Sequence, residues 1–305
     1  MQTPDQRAAA TAARQFGAVT RRQALDCGLT PSQIEWRLRT GRWRRAAYEV
    51  YVVVGVPETW QLSAMVAVLA GPPGTVASHL TAAALFGLWT PPAPPHVTVP
   101  RGTNGRYRGA VVHWSSLDAL DRCVAARIPC THPARMLVDC AAVLGERALC
   151  DLVDQTLFRF TDAPGVQRAM VRASRAPGRK GQRNLQHALE VWTPGPKPGS
   201  PAEMRLVRHL QRLGFPLPER QWKVRDEGGR FVGRIDLAWP DLKVGLEYDG
   251  EEHHGPRRWR QDDDRQDCLE ALGWQMLRVG KSDLGPGSTR VERWLAPRVG
   301  RRSAA

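Results

Sequence analysis

The chain has 305 residues, longer than one typical domain, and an ordinary 42% of hydrophobic residues. Its 44 Lys and Arg against 30 Asp and Glu give a formal net charge of +14 at pH 7, a field that favours nucleic acid or an anionic membrane surface. No apolar run approaches the ~20 residues that span a bilayer. The start, Met1 to Arg7, also lacks the apolar stretch of a signal peptide. A cytoplasmic protein acting on nucleic acid, without a membrane, is therefore expected.

Residues 1–56 read as a small helical module with a hairpin. A helix is expected from Asp5 to Gln15. Thr20-Arg-Arg-Gln23 is a capping box that opens a second helix, which Gly28 ends. Thr30-Pro-Ser-Gln33 is another, with Pro31 at the first helical position, and its helix runs to about Thr40. Trp43 to Val54 is rich in β-branched and aromatic residues and reads as a two-stranded wing. Three short helices followed by a wing describe a winged helix-turn-helix. Arg37, Arg39, Arg42, Arg44 and Arg45, interleaved with Trp36 and Trp43, fall where such a module meets DNA. The other reading of the cluster is a solvated basic face.

Residues 57–162 form a second, α/β block. Helices are expected at Trp60 to Ala70, Ser78 to Phe86, Pro133 to Leu144 and Arg147 to Phe158, and strands at His96 to Val99 and Gly109 to Trp114. His79, His96, His113 and His132 lack metal-ligand spacing and read as structural or exposed. The six cysteines include no Cys-x-x-Cys pair and read mostly as small buried hydrophobes.

This first half resembles a known family. Phe16-Gly-Ala-Val-Thr-Arg-Arg-Gln-Ala-Leu25, Tyr51-Val-Val-Val-Gly55, Ser78-His-Leu-Thr-Ala-Ala-Ala-Leu-Phe-Gly-Leu88 and Pro133-Ala-Arg-Met-Leu-Val-Asp139 look like the AbiEi-type abortive-infection antitoxins. The resemblance implies a winged helix that binds the promoter of its own operon, with a cognate toxin or operon partner. Glu49 stands in the wing where similar proteins tend to have Gly.

Residues 163–200 connect the halves. Arg168, Arg172 and Arg175 are spaced i, i+4, i+7 and make one basic stripe on a helix, either a phosphate-tracking surface or a solvated face. Thr193-Pro-Gly-Pro-Lys-Pro-Gly-Ser200 reads as a stiff linker and domain boundary.

Ser200-Pro201 opens a helix whose apolar face is Leu206, Val207, Leu210 and Leu213. Glu203 shares that inward face, where it needs a partner or a metal, or serves the helix dipole. Strands follow at Gln221 to Arg225, Phe231 to Trp239 and Lys243 to Asp249, then a helix from about Trp259 to Leu272 and a strand at Trp274 to Val279. That order is an α/β core with a sheet between helices. In the second strand Arg234, Asp236 and Ala238 are expected on one face, and Ile235, Leu237 and Trp239 on the other. In the third, Gly245, Glu247 and Asp249 share a face. A two-residue turn at Asp241-Leu242 would set Asp236 opposite Glu247, close enough for both to bind one Mg²⁺ (or Mn²⁺).

At these residues a second resemblance is visible. Asp236, Glu247-Tyr-Asp-Gly250, His253, Asp264-Arg265 and Gly273-Trp-Gln-Met-Leu-Arg278 look like the PD-(D/E)XK nuclease superfamily, above all the endonuclease-like domains related to very-short-patch repair endonucleases. The resemblance covers about residues 200–285 and implies a restriction-endonuclease-like α/β domain, taken here as 201–285, with a basic tail at 286–305. It matches Asp236 and Glu247 to the metal-binding carboxylates and Glu203 to the acidic residue of the first core helix. Asp249 stands where the superfamily has Lys, which leaves water activation unassigned. His253 suits proton transfer near neutral pH, and Arg265 suits holding the scissile phosphate. The structural alternative for both is a hydrogen bond or salt bridge with Asp262, Asp263, Asp264 or Asp267. Two functions follow as expectations: a metal-dependent DNA endonuclease, or a non-catalytic antitoxin-like regulator of its own operon.

Overall fold

In the computed structural model, residues 2–103, 109–174, 180–192, 195–249, 265–285 and 287–301 are described. The protein mixes α-helices with three β-sheets and divides into two compact units, Met1–Gln186 and His187–Ala305. Among the described residues no helix is long and apolar enough to cross a membrane.

The first unit opens with three helices set by one device. Thr3, Thr20 and Thr30 each accept a hydrogen bond from the backbone N–H three residues on, and the Gln at that position bonds back. These reciprocal boxes start α1 (Pro4–Arg14), α2 (Arg21–Asp26) and α3 (Pro31–Arg39) by satisfying donors that helix ends leave unpaired. β1 (Ala18–Thr20), which the sequence reading left out, joins β2 (Trp43–Ala47) and β3 (Val50–Val53) in a sheet of order β1-β3-β2. Ala8, Ala12, Val19, Ala24, Leu29, Ile34, Trp43 and Tyr51 fill the core between them.

The turn between β2 and β3 needs a left-handed residue, and Glu49 takes φ 53 there. A non-glycine residue in that region costs roughly 1–2 kcal/mol. Two contacts offset part of it: the Glu49 carbonyl accepts from the Arg21 N–H at 2.8 Å, and its carboxylate lies 3.8 Å from the Arg21 guanidinium.

The rest of the unit is a mixed five-stranded sheet with helices. It comprises α4 (Trp60–Leu69), β4 (Val76–Ala77), α5 (His79–Leu85), β5 (His96–Val99), β6 (Val111–Trp114), β7 (Arg122–Ala125), β8 (Ile128–Thr131), α6 (Pro133–Cys140), α7 (Glu146–Arg159) and α8 (Ala163–Ser174). The sheet order is β6-β5-β4-β8-β7.

Arg135 on α6 is 1% exposed, so its charge must be matched inside. It donates to Asp139 Oδ1, Asp121 Oδ2 and Ser115 Oγ, each at 2.9 Å. Arg172 completes the network at 2.7 Å from Asp121 Oδ1. The expected basic stripe on α8 is therefore corrected: Arg172 turns inward to a buried carboxylate, and Arg168 lies 3.9 Å from Asp162. Arg175 lies outside the described residues. The reading of the cysteines is also corrected: only Cys130 and Cys140 are buried.

α9 (Gln182–Glu190) carries the division between the units. The second unit contains α10 (Pro201–Arg212), β9 (Glu219–Arg225), β10 (Phe231–Trp239), β11 (Val244–Tyr248), a helix over residues 265–271 (α11), β12 (Gln275–Val279) and α12 (Arg290–Val299). α12 occupies half of the stretch expected as a tail, because Val291 and Leu295 are buried in the core. The sheet order is β12-β11-β10-β9, parallel between β11 and β12 and antiparallel elsewhere.

Leu206, Val207 and Leu210 of α10 and Val291 and Leu295 of α12 pack with Leu237, Trp239, Val244, Leu246, Leu277 and Val279. Ile235, Ala238, Val224 and Trp274 pack instead with Leu269 of α11. The expected alternation along β10 is thus corrected. Ile235 belongs to a different apolar cluster from Leu237 and Trp239, so the two-residue period breaks at Asp236.

Candidate active site

The break at Asp236 has a local cause. The β9–β10 ladder pairs Ile235 with Trp222 and Leu237 with Arg220, and between them Gln221 takes φ 55. On the other side, the β10–β11 ladder ends at Leu237 opposite Leu246. That register, carried one residue further, sets Asp236 opposite Glu247 as the sequence reading expects. The connection is a 3₁₀ turn, Pro240–Leu242, closed by Lys243 in the left-handed region at φ 48. Where the ladder stops, the Tyr248 N–H donates to Asp236 Oδ2 at 3.1 Å. The carboxylate thus replaces a strand carbonyl.

Gln221 ties Asp236 to α10. Its Nε2 donates to Glu203 Oε2 at 2.8 Å and to Asp236 Oδ1 at 3.1 Å. Glu203, 5% exposed, also accepts from the Gly199 N–H at 2.8 Å. A Cβ on Gly199 would stand 2.6 Å from Glu203 Oε1, so glycine permits that approach. Burial, and next the charge of Asp236, push the Glu203 carboxyl above its ordinary pKa; hydrogen bonds from Gly199, Gln221 and Ser200 oppose the rise.

Glu247 sits on β11 beside Arg278 of β12 in the parallel register. Arg265 of α11 donates to Glu247 Oε1 at 2.6 Å and to the Arg234 carbonyl at 2.9 Å. Among the described residues the acidic partner of Arg265 is Glu247. Burial pushes the Glu247 carboxyl up, Arg265 pulls it down, Asp236 adds to the rise, and Arg278 opposes it.

Asp236, Glu247, Arg265 and Arg278 line one cleft of about 550 Å³. Asp236, Glu247 and Asp249 supply its acids; Lys223, Arg234, Arg265 and Arg278 supply its cations. Asp249 is exposed at the end of β11, and its N–H donates to the Val279 carbonyl at 2.9 Å. His253 and Asp262 to Asp264 lie outside the described residues. Sequence reasoning missed Gln221, Lys223 and Arg278. Lys223 shows a weak signal, a cation two positions from Gln221 on one strand face; Arg278 becomes relevant only once β12 is known to pair with β11.

Hard carboxylate oxygens held close together suit a divalent cation such as Mg²⁺. The fit is in donor chemistry: two carboxyls here carry raised pKa values partly through a neighbouring carboxylate. Arg265 already meets one oxygen of Glu247, so a cation would share that residue with it.

The five arginines of the N-terminal module divide into two groups. Arg37 is ion-paired with Asp5 and lies over the rings of Trp36 and Trp43. Arg44 pairs with Glu58, and Arg45 with Glu35 at 3.2 Å. Arg39 and Arg42 are exposed, and neither has an ion pair among the described residues. Arg42 stacks on Trp36 at 4.6 Å, which extends a cation and an aromatic face together toward solvent.

The histidines require a further correction. His132 accepts the Ala134 N–H at the start of α6 and is structural, but His79, His96 and His113 come together. Their ligand nitrogens lie within 4.8 Å of one another.

No protein-family model matches the chain. It is 29% identical over 258 residues to uncharacterized proteins from two strains of Mycobacterium tuberculosis, an alignment that covers 84% of this chain and 92% of each relative.

Proposed function

We propose that the second unit is a restriction-endonuclease-like domain that hydrolyses phosphodiester bonds in DNA, and that the first 56 residues are a winged helix that brings the DNA to it. The observation that carries this reading is the placement of Asp236 where the β10–β11 ladder ends and the β9–β10 ladder skips a pair, in a cleft shared with Glu247 and bridged by Gln221 to Glu203. A carboxylate is costly to keep half-buried beside others unless it binds something.

Asp236 and Glu247 would hold Mg²⁺ (or Mn²⁺), whose contribution when bound is Lewis-acid stabilisation of phosphoryl oxygens. Gln221 and the Tyr248 N–H fix the Asp236 oxygens, so that carboxylate is oriented before substrate arrives. Arg265 anchors Glu247 and presents a fork-shaped guanidinium suited to a phosphate. Lys223, across the cleft on β9, supplies the positive charge that Asp249 cannot. The net charge of +14 favours the polyanion, and Arg39 and Arg42 are the arginines left to meet it.

A second reading is a non-catalytic, antitoxin-like regulator of its own operon. The Glu247–Arg265 pair favours it, because that carboxylate already has a cation. Metal-dependent nicking of plasmid DNA separates the two. The endonuclease reading expects nicking that Glu247→Ala abolishes while the fold is kept. The regulator reading expects none, with salt-sensitive binding to its own upstream DNA that Arg39→Ala and Arg42→Ala weaken.

A further inference from the structure

Outside the carboxylate cleft, the chemistry most concentrated in one place is the histidine cluster of the first unit. His79 begins α5, His96 begins β5, and His113 lies on β6 opposite Thr98. Residues far apart in sequence thus bring three imidazoles to one point. His96 Nδ1 is 3.1 Å from His113 Nε2. The rings of His79 and His113 stack at 3.5 Å, and His96 lies 5.3 Å from His113 and 5.8 Å from His79.

Two features go beyond packing. First, Ser78 Oγ lies 2.9 Å from His79 Nδ1. An Nδ1–H given to that oxygen leaves Nε2 as the ligand atom, as an outer partner does for metal-bound histidine. Second, His79 and His113 border a cavity of about 290 Å³ that Thr98 also lines. Thr98 is 1% exposed, and its hydroxyl has no hydrogen-bond partner among the described residues. An unmade bond of that kind costs about 1–3 kcal/mol.

We propose that His79, His96 and His113 bind a divalent transition-metal ion of the zinc class, with an open coordination position facing the Thr98 cavity. Three imidazoles select this class over Mg²⁺, which prefers oxygen. Three protein ligands and one open position are the arrangement of catalytic rather than structural zinc. Zinc–nitrogen bonds run to about 2.0–2.1 Å. The stacked rings of His79 and His113 must therefore fan apart for their in-plane lone pairs to converge, and the cavity beside them gives the room.

The test is a Co²⁺ titration of the metal-stripped full chain at pH 7.5, read by visible d–d absorption, with Zn²⁺ then added as competitor. The proposal expects one equivalent to give a band that Zn²⁺ removes. His96→Gln and His113→Gln should weaken binding by at least the ~100-fold that loss of a mere outer partner costs. Glu247→Gln, in the carboxylate cleft, should leave the band unchanged. No band in the wild type, or bands of wild-type strength in both histidine variants, would overturn the proposal. X-ray absorption of the Zn²⁺-loaded wild type gives an answer that does not depend on the variants folding. Imidazole scattering supports the site, and a shell of oxygen alone overturns it.

Discussion

Arg265 reaches from α11 to β11, and its Nη2 donates to Glu247 Oε1 at 2.6 Å while Nη1 donates to the Arg234 carbonyl at 2.9 Å. The sequence offered this arginine nearby aspartates as partners, but the fold gives it the acid expected to hold a metal. Gly233 eases the crossing: a Cβ there would stand 3.3 Å from Arg265 Cγ and Cδ, close enough that the arginine stem would have to shift slightly. Glu247 therefore has a cationic partner within the chain.

A first prediction follows. Arg265→Ala leaves Glu247 beside Asp236 without its cation, so the metal-free variant should be about 1–3 kcal/mol less stable. Adding Mg²⁺ should then raise its melting temperature more than it raises that of the wild type. Differential scanning fluorimetry with and without Mg²⁺ checks this, and equal shifts in both proteins would speak against a shared site.

The pH dependence of stability has a definite sign. Burial raises the pKa of Glu203 and Glu247 in the folded protein. Each then binds its proton more tightly folded than unfolded. The stability this confers is complete below the unfolded pKa and lost as pH rises through the folded one. Above that window the buried carboxylates destabilise the metal-free protein. Glu203→Gln should accordingly raise the melting temperature more at pH 7 than at pH 4, measured in chelator. A gain independent of pH would show that the Glu203 charge is not the cause.

In the first unit the sharpest stability prediction concerns Arg135. It is 1% exposed and meets Asp121, Asp139 and Ser115 at once. Arg135→Ala removes the cation that two buried carboxylates share, leaving Asp121 to Arg172, and should cost about 3–5 kcal/mol. Urea denaturation followed by circular dichroism reads the loss directly; a cost under 1 kcal/mol would mean the network adds little.

Local signals were legible in the sequence where a short-range rule decided the outcome. The Thr20 and Thr30 boxes start their helices as expected, and Ser200-Pro201 opens α10; the Thr3–Gln6 box, of the same pattern, was not read from the sequence. The Asp236–Glu247 register also follows from the turn length, although the turn is closed by left-handed Lys243. Long-range pairing was not legible. The two-residue strand β4 carries no periodicity, yet it lies in the middle of the five-stranded sheet. The break in alternation at Asp236 depends on the conformation of Gln221, a neighbour on another strand. Arg172 looked like a member of an outward basic stripe, phosphate-tracking or solvated, because its buried partner, Asp121, lies 51 residues away. The histidines lacked metal-ligand spacing for the same reason: sheet pairing, not sequence interval, brings them together.

The central claim is that Asp236 and Glu247 form a metal pair, and calorimetric titration of Mg²⁺ into the wild type and Asp236→Asn tests it most directly. Mg²⁺ is the right probe because it favours carboxylates over the imidazoles of the first unit. The account predicts saturable binding to the wild type and at least tenfold weaker binding to a folded Asp236→Asn. Indistinguishable isotherms for the two proteins would contradict it.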